Sequence, residues 1–452
     1  LNQPSDNLGA WVVAWAVIAA IIVLARMRTQ PADAGLVAAF LISFAMNHWI
    51  GAAIYLTPEY TRSDPNIVAI GFQLATLGVA AFGIGSVFLA PWLMRLVPRP
   101  GPGVTVTPAG RQPTRTIIVF GLLLMLVLLP VARKVPTLTA ILAEGLSVVV
   151  VGLGLACWNA WQTRRTGAFV VSLLGTLCLP GVTVVTQGFL GYGSVAAMAI
   201  LTFLASFVRP RWTTVLIGLA MAYLGLSLFV TYMRDRPVLR QSVATQPLAD
   251  RIQRAYDTLS SFEFFDLSDP DHLNHVDDRL NQNVLVGRAV VFLDQGLAPF
   301  AQFETVWNGV LALIPRAIWP TKPLAAGSPQ LVTRFTGLTF AAGTSVGIGN
   351  VMEAYVSFGT PGVVLAFLLL GTLIGVMDTA AAVRLRAGNW RGFFLWYLPA
   401  LSFLQVDGSL VEITSTAGAA LVVAFVLTRL INPKPASTTS PVARSRPVLT
   451  RA

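Results

Sequence analysis

The sequence predicts an all-α polytopic membrane protein, with about eleven transmembrane helices and one large external loop that carries amphipathic and re-entrant helices. Three observations predict it. The 452 residues are 55% hydrophobic and only 11% charged, with a mean hydropathy of +0.70, where soluble domains carry about 25% charged residues. Apolar runs near the length needed to cross a bilayer recur along the chain. Lysine and arginine concentrate in alternate loops between those runs.

The runs place spans at 10–25, 34–56, 67–93, 116–132, 138–160, 167–187, 194–208, 213–231, 351–378, 393–407 and 413–430. The first has no basic residue before it and is followed by Arg26 and Arg28. A secretory signal has the opposite arrangement, so this run reads as a true span with its N-terminus outside. It is short and the sequence begins at Leu1, in keeping with an incomplete N-terminus. On that orientation the inner loops and tail hold eighteen Lys/Arg, among them Arg95, Arg164, Arg211, Arg384 and Arg429. The short outer loops hold three, Arg62, Arg133 and Lys134. This positive-inside bias puts the C-terminus in the cytoplasm and the segment 232–350 outside, because long segments translocate regardless of charge. The expected organisation is a bundle of about eight spans over 1–231, a large external, periplasmic loop over 232–350, about three spans over 351–432, and a disordered basic tail over 433–452. A Pro/Gly-rich linker occupies 98–113.

Several function classes are disfavoured. The net charge of +11 sits mostly in short loops and the tail, without the basic runs interleaved with aromatics of a nucleic-acid surface. Cys157 and Cys178 fall in apolar runs and imply neither a disulfide framework nor a thiolate metal site. No nucleotide loop of the Walker or Rossmann kind is present, and neither a repeat of fixed period nor a two-fold transporter pattern is visible.

The external segment has substructure. Over 248–265, Leu248, Ile252, Ala255, Leu259 and Phe262 share helical spacing opposite charged residues, which predicts an amphipathic helix on the membrane surface or capping the bundle. The apolar run Val306 to Ile314 is too short to span and predicts a re-entrant or interfacial helix ending at Pro315. Residues 324–349 are rich in Gly, Thr, Ser and Ala and read as a flexible lid or substrate-lining loop.

Candidate functional residues cluster here. Arg234 and Arg236 stand where a helix leaves the membrane and suit bidentate phosphate contacts, although interfacial anchoring explains their position as simply. His272 and His275 are spaced for one helix face and could serve as general bases; a solvated acidic loop is the plainer reading, and the spacing is not a zinc signature. Arg288 precedes an apolar run at the membrane edge. The cassette Pro315-Arg316-Ala317-Ile318-Trp319-Pro320-Thr321-Lys322-Pro323 is the most specific signal. Its prolines stiffen the backbone under a guanidinium, an indole and an ammonium. Cations hold phosphate and indoles stack on sugar rings, against the alternative of an aromatic-belt anchor. Glu353 and Tyr355 follow in GIGNVMEAYVSFGTPG, where a carboxylate is costly unless paired or facing a polar cavity. His48 reads as a satisfied bundle histidine, and Asp407 and Glu412 as solvated loop residues.

Pro315-Arg316, Trp319-Pro320 and Lys322-Pro323, followed by Gly349, Glu353, Tyr355, Phe358-Gly359 and Gly362 before an apolar span, resemble the Wzy-type O-antigen and exopolysaccharide repeat-unit polymerases. The likeness covers roughly 280–375 together with the many-helix topology and its single large loop. It implies a metal-independent, GT-C-like glycosyltransferase of the bacterial inner membrane with no cofactor. The substrate would be oligosaccharide repeat units on undecaprenyl diphosphate, and a chain-length regulator protein would be a candidate partner. Arg234, Arg236, Arg288, Arg316 and Lys322 would converge on the diphosphate, and Trp319 and Tyr355 would stack on sugar. Glu353, or else His272 or His275, would act as base. Ligase-type transfer of the same donor, or a flippase for lipid-linked glycans, are the alternatives.

Overall fold

The computed structural model describes residues 3–29, 32–58, 60–97, 113–129, 136–207, 212–314, 319, 328–341, 344 and 346–431, and among them every regular element is a helix. The first half of the chain forms α1 (Pro4–Thr29), α2 (Leu36–Leu56), α3 (Pro65–Leu93), a shorter apolar α4 (Thr114–Leu128), α5 (Ile141–Gln162), α6 (Thr166–Gln187) and α7 (Leu190–Phe207). The long α8 (Trp212–Thr245) follows, apolar over Leu216–Val243. The polar segment then folds as α9 (Leu248–Ser260), α10 (Pro270–Leu280), α11 (Asn283–Asp294), α12 (Glu304–Ala312) and α13 (Ser328–Thr336). The chain finishes with α14 (Asn350–Arg386), α15 (Trp390–Ala400) and α16 (Leu410–Leu430). Nine of these described helices (α1, α2, α3, α5, α6, α7, α8, α14 and α16) are long and apolar enough to cross a membrane. The protein is an all-α, multi-pass membrane protein.

The expected spans at 116–132 and 393–407 fall on the shorter α4 and α15. In the second case Pro399 and the 3-10 turn Leu401–Leu404 end the α-helix early. The composition break at Tyr232 is not a break in structure, because α8 continues through Pro237 to Thr245. The helix expected over 248–265 ends at Ser260. Leu248, Ile252, Tyr256 and Leu259 lie along one face of it and are exposed, so the apolar stripe points outward rather than into the bundle. The loop expected over 324–349 contains α13, whose Leu331, Val332 and Phe335 are buried at helical spacing that a Gly/Ser/Thr-rich composition obscures.

Glycines let the central helices touch backbone to backbone. A Cβ on Gly71 would lie 2.1 Å from the Asn283 carbonyl oxygen, and one on Gly287 1.9 Å from that of Ile67. Farther along α3, a Cβ on Gly371 would meet the Phe82 carbonyl oxygen at 2.2 Å, and one on Gly85 that of Leu368 at 2.2 Å. α3 is thus the central post, clasped by α11 near one end and α14 near the other. Small residues suit such crossings because lipid supplies no hydrophobic drive between helices.

An ion pair holds the opposite end of the bundle. Arg26 and Asp378, 2% and 0% exposed, meet at 2.5 Å between α1 and α14. Arg26 also donates to the Ser86 carbonyl of α3 at 3.2 Å. The second Asp378 oxygen accepts the backbone N–H groups of Ala34 and Leu36 at 2.9 and 3.1 Å, capping the start of α2. Removing Asp378 leaves the buried Arg26 only the partly exposed Asp33, 3.6 Å from its Nε. Asp378→Ala is therefore expected to destabilise the protein by about 3–5 kcal/mol, read as thermal unfolding in detergent. Arg26→Met with Asp378→Leu should recover part of the loss, since the Ala34 and Leu36 donors stay unpaired. A change under about 1 kcal/mol on Asp378→Ala would contradict this role.

Candidate functional site

At its polar-segment end α8 presents Arg236 and Arg240 one turn apart on a single face. α10 brings Arg279 against them. Burial and then the two neighbouring guanidiniums, Arg236 first, hold Arg279 below its ordinary value, with Asp278 opposing. Arg240 lies over the Phe189 ring at 4.8 Å. Arg236 has no hydrogen bond or ion pair among the described residues. Three guanidiniums are held together here, and Asp278, which acts on Arg279, pairs with Arg62 at 2.8 Å.

Arg236 and Arg279 line one end of a cavity of about 2800 Å³. Its walls through the bundle are largely apolar, from Trp15, Ala19 and Val23 of α1, Leu41 and Ile42 of α2, Val195 and Met198 of α7, and Leu219, Leu226 and Phe229 of α8. At the far end it reaches Arg28 and Arg386. The apolar stretch of α8 stands apart from its neighbours: Leu216, Ile217 and Leu219 are more than half exposed, and nothing lies within 4 Å of a Cβ on Gly218 or Gly225. The cavity is consequently open sideways toward lipid.

A local irregularity positions α10 and α11. Residues Ala45–Trp49 of α2 form a π-helical turn, which frees backbone carbonyls from the ordinary ladder. The freed Asn47 and His48 carbonyls accept from Gln282 N at 2.9 Å and Asn283 Nδ2 at 2.8 Å. Nδ1 of His48 faces Asn283 Oδ1 at 2.8 Å. Asn281 Nδ2 and the Tyr55 hydroxyl donate to Asp277 at 2.6 and 3.0 Å. Burial nonetheless outweighs these hydrogen bonds and pushes the Asp277 carboxyl up from its ordinary value.

The expected site residues divide. Arg234 is a strut: it donates to Asp235 at 3.0 and 3.1 Å, to Ser261 O and Oγ at 3.1 and 2.6 Å, and to Glu263. These bonds tie the end of α9 to α8 and occupy the guanidinium, so the structure gives it no free face for a diphosphate. Arg288 sits one helical turn along α11 from the cavity-lining Val284 and Leu285, half-buried and without a partner among the described residues. His272 Nδ1 accepts the Asp266 N–H at 3.1 Å while Nε2 lies 3.5 Å from Glu263, so it braces the 261–269 turn. His275 Nδ1 is buried with no hydrogen bond among the described residues. Neither histidine lines the cavity. Tyr355 is buried against Phe300, ring centroids 6.2 Å apart, whereas Trp319 is partly exposed. Arg316 and Lys322 lie outside the described residues.

Glu353 is buried in the first turn of α14. Its Oε2 accepts the Leu410 N–H at 2.6 Å and so caps α16, while Oε1 has no partner among the described residues. The GIG of GIGNVMEAY now has a physical reason. Gly349 adopts φ +70°, and a Cβ on Gly347 would lie 2.0 Å from the Asp407 carbonyl oxygen. Both glycines clamp the turn 405–409 to the start of α14, through Gly349 N to Asp407 O at 3.1 Å and Asn350 N to Val406 O at 3.0 Å. Asp407 is exposed, as its sequence context suggests, and the space it borders is the cavity. Protein packed around that wall displaces bulk water, and this, then Glu412, pushes its carboxyl up from the ordinary value.

A family model described as a domain of unknown function, DUF8712, matches residues 107–397. The chain belongs to the DUF8712 family. No curated protein and no solved structure matches it. The DUF8712 region contains Arg236, Arg240, Arg279 and Glu353, whereas Arg26 and Asp407 lie outside it.

Sequence reasoning passed over Arg240, Arg279 as one of a cluster, Asn283 and the π-helical turn, because each acquires its role only when α2, α8, α10 and α11 meet. The raised Asp277 carboxyl gives a pH prediction. A buried acid with a raised folded-state pKa contributes stability that is full below the unfolded value and is lost as pH rises through the folded one. The thermal midpoint of the wild type should therefore fall as pH rises from the ordinary carboxylate range upward, and Asp277→Asn should flatten that slope. An unchanged slope in Asp277→Asn would contradict it.

Proposed function

We propose that this DUF8712 protein is a metal-independent, GT-C-like membrane glycosyltransferase. In this reading it polymerises undecaprenyl-diphosphate-linked oligosaccharide repeat units into surface polysaccharide at the outer face of the inner membrane. One observation carries it: a cavity that is apolar along the bundle, open sideways to lipid, and lined by Arg236 and Arg279 at the polar-segment end. Small-molecule pockets occupy about 300–1,000 Å³, and this cavity of about 2800 Å³ has room for a long isoprenoid chain. Its guanidiniums lie where a lipid diphosphate would emerge. Glycosyl transfer from such a donor needs cations on the leaving diphosphate, where negative charge grows in the transition state.

Arg236 and Arg279 take that role here, with Arg240 beside them and Arg288 one turn beyond the cavity wall. Trp319, with its partly exposed indole, is the sugar-stacking candidate. Both α4 and α15 would complete eleven crossings, and the positive-inside bias supports an external polar segment and a cytoplasmic C-terminus.

A second reading, a flippase for the same lipid-linked glycan, is favoured by the extension of the cavity to Arg28 and Arg386 at the far end. The two separate in one experiment on cells that make the polysaccharide. Arg236→Ala with Arg279→Ala is expected to cut long-chain product by about 10²-fold or more, with single repeat units still reaching the outer face on their lipid. A flippase would instead leave those units on the cytoplasmic side. Polysaccharide of unchanged amount and length would overturn both readings.

A further inference from the structure

We propose that Asp407 is the catalytic base that takes the proton from the acceptor sugar hydroxyl. This inference deepens the polymerase reading and rests on it.

The argument starts from which carboxylates are already occupied. Glu353 caps α16 and does not line the cavity. Glu412 accepts from Ser409 N at 2.8 Å and from the Ser328 hydroxyl at 3.3 Å. Asp277 holds Tyr55 and Asn281, and Asp278 holds Arg62. Glu144 also lines the cavity with one oxygen unpartnered among the described residues, but it is only 4% exposed, whereas Asp407 is exposed and its carboxylate has no hydrogen bond or ion pair to another described residue. It is nonetheless held firmly. Its carbonyl takes the Gly349 N–H at 3.1 Å, and the neighbouring Val406 carbonyl takes that of Asn350 at 3.0 Å. An accessible, unpaired carboxylate on a backbone fixed at a cavity wall is the arrangement a proton acceptor requires.

The cation cluster adjoins this wall. Gln282, three residues beyond Arg279, lines the same cavity, and a Cβ on Gly349 would lie 3.4 Å from its Oε1. The Gln282 Oε1 atom itself is buried without a hydrogen bond among the described residues. The titratable groups around Asp407 are Glu412 on α16 and Tyr192 on the first turn of α7. Among the described residues no cation pairs with it, and its carboxyl is shifted in the direction of a stronger base.

The step balances without a further reactant. The acceptor hydroxyl oxygen bonds to the donor's anomeric carbon as its proton passes to the Asp407 carboxylate. The bond from that carbon to the diphosphate oxygen breaks, and its electron pair leaves on the diphosphate, which the arginines hold. The products are the lengthened glycan on one lipid and free lipid diphosphate.

The test uses the full-length protein in liposomes with a synthetic undecaprenyl-diphosphate-linked repeat unit. Asp407→Asn is expected to lower kcat by about 10²–10⁴-fold with the Kd for undecaprenyl diphosphate and the Tm unchanged. Asp407→Glu should retain part of the rate with the acidic limb of its pH profile displaced. If the wild type polymerises and Asp407→Asn keeps its rate within about tenfold, below the range for a lost base, Asp407 is not the base. Loss of lipid binding or of Tm alongside the rate would make its role structural and would equally overturn the inference. A wild type that makes no polymer would sink the polymerase reading and this inference with it, whereas a silent Asp407→Asn leaves that reading standing.

Discussion

The Arg26–Asp378 pair is the constraint on which the rest of the structure depends. One carboxylate neutralises a guanidinium from α1 and caps the start of α2, and the guanidinium reaches a carbonyl of α3. Charges at such depth are tolerated when they are paired. The pair therefore fixes the relative placement of four helices at one end of the bundle. α14 transmits that placement, because the helix that ends near Asp378 begins at the Gly347–Glu353 clamp on the opposite side. Between its ends the backbone leaves helical geometry at Phe358–Gly359, where Gly359 takes φ +65°. Its upper turn can thus lean toward α16 while its lower half packs on α3.

At the polar-segment end a different physics applies. The chain there is rich in arginine, and most guanidiniums are given a structural task. Arg234 binds carboxylates and the turn after α9, Arg334 meets Glu304 at 2.8 Å, and Arg62 meets Asp278. Arg236, Arg240 and Arg279 are gathered with like charges. Clustering like charges costs free energy unless an anion offsets it. That cost, located where an apolar cavity reaches the polar segment, is the reason to place a lipid-borne anion there.

Much of this was legible in the sequence, for identifiable reasons. Spans announce themselves because a helix surrounded by lipid must be apolar over about 20 residues, and α9 because its stripe repeats every three to four residues. The GIG and FG pairs were legible as unusual, but their tasks, clearing a carbonyl of the 405–409 turn and kinking α14, needed the third dimension. Arg26 reads as an ordinary loop charge because its partner is more than three hundred residues away. Asp407 reads as a solvated turn residue, and nothing local reveals that the turn forms a cavity wall. The opposite error affects Arg234 and His272, whose residue types suit phosphate and base chemistry but whose atoms are engaged within the 261–269 turn. Residue type and spacing mark where polar chemistry can sit. Which groups remain uncommitted is decided by tertiary contacts.

The central claim is that the cavity between α1, α2, α7 and α8 holds an isoprenoid chain with its diphosphate on Arg236 and Arg279. A cryo-EM structure of the protein in lipid nanodiscs with undecaprenyl diphosphate tests it most directly. The account predicts continuous density along the apolar wall, ending in two phosphate peaks beside Arg236 and Arg279 and within reach of the 405–409 turn. Density confined to the Arg28–Arg386 end, or a cavity left to ordinary phospholipid at saturating ligand, would contradict it.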